Sequence, residues 1–81
     1  MSDSTSARVK QVMALAFNVP AGQVGDDAAI GDTPGWDSLG HANLMLALEE
    51  EFGVTLTPEA QLELQSLPEI VAFLEQAGAA R

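Results

Sequence analysis

The sequence has no cysteine, one histidine and only three basic side chains among 81 residues. Without cysteine there is neither a disulfide framework nor a thiolate metal site, and a single histidine leaves the usual zinc ligands missing. No stretch approaches the roughly 20 apolar residues that span a bilayer. The opening Met-Ser-Asp-Ser-Thr-Ser shows no basic segment followed by an apolar run, so no export signal is read. The expectation is a cytoplasmic protein with no metal and no membrane contact. Positive charge is the scarcest commodity: Arg8, Lys10 and Arg81 stand against twelve acidic residues, for a net charge of −9, and residues 11–80 contain no basic side chain. Phosphate neutralisation is unavailable, which excludes nucleic acid as a partner. An anionic surface of this density repels itself, which costs stability, and it also steers encounters with basic partner surfaces.

Eighty-one residues suffice for one domain with a modest core. At this size, buried apolar area barely outweighs conformational entropy, so a deep active site with several supporting layers of side chains is hard to build. The expectation is a monomeric single domain, residues 1–81, that is not an enzyme.

Ser4 to Ser6 offer capping hydroxyls for a first amphipathic helix over residues 7–17, where Val9, Val12, Met13 and Ala16 recur at helical spacing. Asn18-Val19-Pro20 ends it, because the residue before proline leaves the α region and proline has no N–H to donate. Residues 20–36 are rich in Gly, Asp, Pro and Thr, with Val24, Ile30 and Trp36 as isolated apolar anchors of a long ordered loop. Asp26, Asp27 and Asp32 do not keep the alternating ligand register of a calcium loop. A second helix begins at Asp37 or Ser38, either of which can cap it, and ends at Gly53. Val54-Thr55-Leu56 is a short extended connection, and Thr57-Pro58-Glu59 opens a short helix that runs to about Gln65. Ser66 and Glu69 form a capping box for a last helix with Leu67, Ile70, Val71 and Leu74 on its apolar face, closed by Gly78. The architecture is all-α: three longer helices, one short helix, and a long loop between the first and second.

The second helix is apolar on two sides. At 100° per residue, His41, Leu44, Met45, Leu48 and Phe52 share one side, while Leu39, Ala42 and Leu46 share another with Asn43, Glu49 and Glu50. Two readings stand: both sides are buried in a central helix, or the second is an exposed stripe edged by acid. The stripe reading avoids burying Asn43, Glu49 and Glu50 without partners.

Ser38 lies at a helix N-terminus, where free N–H groups and the macrodipole favour a phosphate. It reads either as a cap or as a point for attaching a phosphodiester. Asp37, Ser38 and His41 are triad ingredients at the wrong spacing, since an aspartate adjacent to the serine cannot orient the far side of the imidazole. His41 reads as a packing residue at the edge of the core.

Asp37-Ser38-Leu39, set after a long loop and followed by Leu44-Met45-Leu46-Ala47-Leu48-Glu49-Glu50-Glu51-Phe52-Gly53-Val54, resembles the acyl carrier proteins and the related peptidyl carrier domains. The resemblance covers residues 7–76, the expected core of the domain. It implies a small four-helix carrier-protein bundle whose Ser38 receives 4′-phosphopantetheine from coenzyme A, through a separate phosphopantetheinyl transferase for which Asp37 is a recognition residue. It also implies that the arm holds an acyl, aminoacyl or peptidyl group as a thioester. Leu39, Ala42, Asn43, Leu46, Glu49 and Glu50 would then form the docking surface read by basic patches on the loading and downstream biosynthetic enzymes. Leu44, Met45, Leu48, Leu64 and Ile70 would line any acyl pocket. Gly40 stands where carriers of fatty acid synthesis commonly have an acid, Trp36 precedes the motif, and the chain after Gly53 is less acidic. These departures resemble discrete carriers of polyketide or nonribosomal-peptide metabolism. The reading from a different class is an unmodified acidic helical interaction module, in which Ser38 is only a cap.

Overall fold

The computed structural model describes residues 2–78, with residues 2–4 and Ala21 described by backbone alone. It is all-helical: α1 (Ser2–Phe17), α2 (Ser38–Phe52), α3 (Pro58–Glu63) and α4 (Leu67–Gln76), with one 3-10 turn at Ala21–Gln23. Among the described residues the only extended pairing is an isolated antiparallel bridge between Ala29 and Ser66. Among the described residues no helix is long and apolar enough to cross a membrane.

Helix α1 packs against both α2 and α4. Its buried stripe is Thr5, Val9, Val12, Met13 and Phe17. The sequence pattern places the start of this helix at Ala7, with Ser4 to Ser6 as caps, whereas the helix already runs from Ser2. The reason lies in packing: Thr5 is buried one turn ahead of Val9, so the i, i+4 stripe that holds the helix to its neighbours begins within the stretch that reads locally as capping. At the other end Asn18 takes the left-handed conformation, φ 58°, and the Val19 N–H reaches back to the Ala14 carbonyl at 3.0 Å. That is a Schellman-type stop, one residue before the proline can act.

The loop over residues 20–36 is tied down as its scattered apolar residues require. Val24 and Trp36 are buried, with Ala28 beside them in the core, and Ile30 packs half-buried against it. Where the loop passes the start of α4, the Ile30 N–H donates to the Gln65 carbonyl at 2.9 Å and the Leu67 N–H to the Ala28 carbonyl at 2.8 Å. Lys10 of α1 also binds the Asp26 carboxylate.

Helices α2 and α4 bury the faces that their periodicity marks: Leu44, Met45, Leu48 and Phe52 from α2, and Leu67, Ile70, Val71 and Leu74 from α4. Helix α3 is capped by Thr57, whose hydroxyl accepts the Ala60 N–H at 3.1 Å, and has Pro58 in its first turn. It stops at Glu63 rather than near Gln65, leaving Leu62 exposed and placing Leu64 in the core just beyond its end. At α4, Ser66 caps as expected, but Glu69 reaches the Ser66 hydroxyl and the Gln65 N–H rather than the Ser66 N–H of an ordinary capping box.

One close approach fixes the entry to α2. A Cβ on Gly40 would lie 1.9 Å from the Gly35 carbonyl oxygen, and Gly35, at φ 84°, itself sits against the Phe17 backbone. Gly40→Ala would gain about 1 kcal/mol of helix propensity. The overlap with a backbone oxygen costs more, typically 1–3 kcal/mol and at the upper end where backbone must move. The expected net result is destabilisation by about 2 kcal/mol in urea unfolding, with an unchanged or more stable variant contradicting the close contact.

Candidate functional site at the start of helix 2

The junction between loop and α2 divides its duties among neighbouring residues. Asp37 is the cap: its backbone is extended, its carboxylate accepts the Gly40 N–H at 2.9 Å, and its carbonyl accepts the His41 N–H at 2.7 Å. Ser38 is therefore the first helical residue. Its side chain is exposed, and among the described residues its hydroxyl has no hydrogen-bond partner. With Asp37 bonded to Gly40, the N–H groups of Ser38 and Leu39 are among the four that a helix leaves without internal acceptors. A shallow groove of about 500 Å³ opens beside them, lined from Ile30 along the loop to Ser38. These features fit a phosphodiester on Ser38: a reachable hydroxyl, two free N–H groups and the positive end of the helix dipole. The Asp37 carboxylate opposes it electrostatically, but that charge is already turned to Gly40.

A hydrolytic triad is not assembled. Both nitrogens of His41 are engaged away from Ser38: Nδ1 with the Trp36 indole N–H at 3.0 Å, and Nε2 with the Gln61 carbonyl at 2.7 Å. Through that bond the imidazole lies edge to edge with the Trp36 indole and nearly coplanar with it, and the indole stacks on Phe17, so half-buried His41 packs at the edge of the core.

Behind Ser38 the two sides of α2 part as the stripe reading requires. Leu39 is 72% exposed and Leu46 61%, with Ala42, Asn43 and Glu50 exposed between and beside them. Glu49 differs from its neighbour: half-buried, it accepts the Leu56 N–H at 2.8 Å and so braces the connection to α3. Both described cations are engaged elsewhere. Arg8 lies 3.5 Å from Glu51 and over the Phe52 ring, and Lys10 is with Asp26. These are surface pairs that add little stability, yet they leave Glu50 without a described cation. On the opposite side Leu44, Met45, Leu48, Leu64 and Ile70 are brought together in one core.

Four features of the site escape the sequence reading: the Gly35–Gly40 approach, the Trp36–His41 bond, the His41–Gln61 bond and the brace at Glu49. The first alone left a signal, since a glycine in the first turn of a helix costs stability unless something must come close.

Residues 7–74 match the family model described as the phosphopantetheine attachment site. The chain is also 34% identical over 73 residues to an acyl carrier protein of Solidesulfovibrio magneticus, an alignment spanning 90% of this chain and 94% of that protein. The chain belongs to the phosphopantetheine-attachment carrier family. It is a carrier and not an enzyme, its cofactor is covalent 4′-phosphopantetheine, and its partners are a phosphopantetheinyl transferase and biosynthetic enzymes. Membership decides against an unmodified interaction module.

The division of duties has a measurable signature. Asp37→Ala should cost about 1 kcal/mol of unfolding free energy through loss of the cap. Ser38→Ala should stay within about 0.5 kcal/mol of the parent, as for a surface site without partners. Equal losses at the two positions in denaturant titrations would show that the serine shares the capping.

Proposed function

We propose that Ser38 is the attachment point of the phosphopantetheine arm and that residues 1–81 form a single, monomeric, cytoplasmic carrier domain. The observation that carries this reading is the bare hydroxyl of Ser38 in the first turn of α2, with capping left to Asp37. When bound, the arm supplies a thiol that holds the carried group as a thioester. The protein's own residues present the arm. Helix α2 sets the attachment point at a rigid end, the free N–H groups there favour the phosphate, and exposed Asp37 is the contact for the transferase.

The docking surface is the stripe of Leu39, Ala42, Asn43 and Leu46 with Glu50, and Glu49 on its α3 edge. Its complement is a basic, partly apolar patch on each partner enzyme. Docking of this kind is weak and fast, because one carrier visits several enzymes in turn, and the tether raises the local concentration of cargo at each. Leu44, Met45, Leu48, Leu64 and Ile70 are the residues that an acyl chain would meet on entering the core. The reading leans to polyketide or nonribosomal-peptide metabolism over fatty acid synthesis, on Gly40 in place of an acid, on Trp36, and on the sparse acid after Gly53. Gly40 and Trp36 also have packing roles in this fold.

Incubation with a broad-specificity phosphopantetheinyl transferase and coenzyme A should add one phosphopantetheine to the intact mass, and Ser38→Ala should abolish the gain. A gain that survives Ser38→Ala moves the attachment elsewhere. Leu46→Arg and Glu50→Lys should each slow transfer by partner enzymes at low salt about tenfold, in line with about 1.4 kcal/mol per decade, while circular dichroism stays unchanged. Unaltered transfer kinetics in folded variants count against this surface.

A further inference from the structure

Helix α3 has six residues and buries none of them. A helix this short does not persist on its own hydrogen bonds, and it has no apolar face of its own to hold it against the bundle. Leu56 and Leu64 anchor its two flanks in the core. Between them α3 has one polar tie to α2, the His41 imidazole to the Gln61 carbonyl at 2.7 Å, and the connection ahead of it has another, the Leu56 N–H to the Glu49 carboxylate at 2.8 Å. The Gln61 side chain closes a third bond within the segment, to the Leu56 carbonyl at 3.0 Å.

The imidazole is held in one form by its neighbours. Indole N–H only donates, so Nδ1 of His41 accepts from Trp36 and the neutral ring carries its proton on Nε2, which donates to Gln61. The accepting carbonyl is one of the last four of α3, which have no partner within their own helix; the Gln65 N–H goes instead to Glu63 and Glu69. His41 therefore satisfies a backbone group that α3 cannot satisfy itself, and buried Trp36 sets the angle at which it does so.

Helical spacing places this tie close to Ser38 on α2. Ser38, Met45 and Glu49 follow one another along a single edge of α2, with His41 beside the line three residues, or about 4.5 Å of rise, from Ser38. Met45 lies between the two ties and is buried. We propose that His41 is a specificity-determining latch: its neutral imidazole, oriented by Trp36, fastens α3 over the Met45 edge of α2 and keeps the core closed to a chain tethered at Ser38. Cargo is then held outside the fold and presented alike whatever its length. The inference rests on the Ser38 attachment for its consequence to cargo, and on the apo protein alone for the latch.

The test has two arms. In the apo protein, the ¹⁵N spectrum of His41 should show a protonated Nε2 and an unprotonated Nδ1. His41→Phe, which keeps a flat ring at this position and removes both bonds, should speed amide exchange at Gln61 and Leu64 tenfold or more while Leu48 is unaffected. His41→Gln, whose amide N–H can still reach Gln61, should recover most of that protection. In holo protein loaded with acetyl or decanoyl groups, hydroxylamine should cleave both thioesters at equal rates in the parent, and the decanoyl thioester several-fold more slowly than the acetyl in His41→Phe. The opposite tautomer, unchanged α3 exchange in His41→Phe, or a protected decanoyl group in the parent each overturns the latch. Failure to load Ser38 overturns the attachment reading instead, and leaves the apo arm to decide the latch.

Discussion

Burial of the Trp36 indole is the interaction on which the arrangement around Ser38 depends. The loop that crosses from α1 to α2 has few apolar residues, so its order must come from a small number of deep anchors, and Trp36 is the largest. An indole buries some 150–250 Å², which at about 25 cal/mol per Å² is about 4–6 kcal/mol, comparable with the whole stability of a small domain. The ring stacks on Phe17 at the end of α1, and its one polar atom is spent on His41 in α2. Three separate elements thereby meet two residues before the serine. A phenylalanine here would keep most of the area but strand the imidazole, which would lose the neighbour that fixes its tautomer.

Given that anchor, the rest of the junction follows from sterics. Gly35 and Gly40 allow loop and helix to touch at the backbone. That contact brings Asp37 to the cap position and leaves Ser38 one residue further on, pointing to solvent. A serine that capped the helix would have its hydroxyl occupied by a backbone N–H, and attachment would cost the cap. With the two duties separate, a group attached at Ser38 would leave the cap of α2 in place. The exposed stripe behind it is left without a described cation, because Arg8 and Lys10 are drawn to contacts with Glu51 and Asp26.

Much of this was legible in the sequence, for identifiable reasons. Periodicity reports which side of a helix is apolar, and so it separated Leu44, Met45 and Leu48 from Leu39 and Leu46. Local chemistry marks Thr57, Ser66 and Gly53 as ends of helices. What periodicity does not report is what stands opposite. The indole and imidazole are five residues apart and His41 and Gln61 twenty, and no local rule pairs them. The start of α1 was misread for a related reason: Thr5 has the local preference of a cap, but burial one turn before Val9 made it a core position. Glu49 looked like one more acid on an acidic face until the fold brought the Leu56 N–H to it.

The scarcity of basic residues and the absence of cysteine also bear on the chemical safety of the cargo. A thioester is an activated acyl donor, and the side chains best able to intercept it are thiols and free amines. This chain has no thiol, and its single lysine lies on α1 with its ammonium against Asp26. His41, whose imidazole is the other natural nucleophile, has both nitrogens committed to Trp36 and Gln61. With the arm attached at Ser38 as proposed, an acyl group would sweep past side chains of this kind only where they are already engaged, and would wait for an enzyme rather than acylate its own bearer.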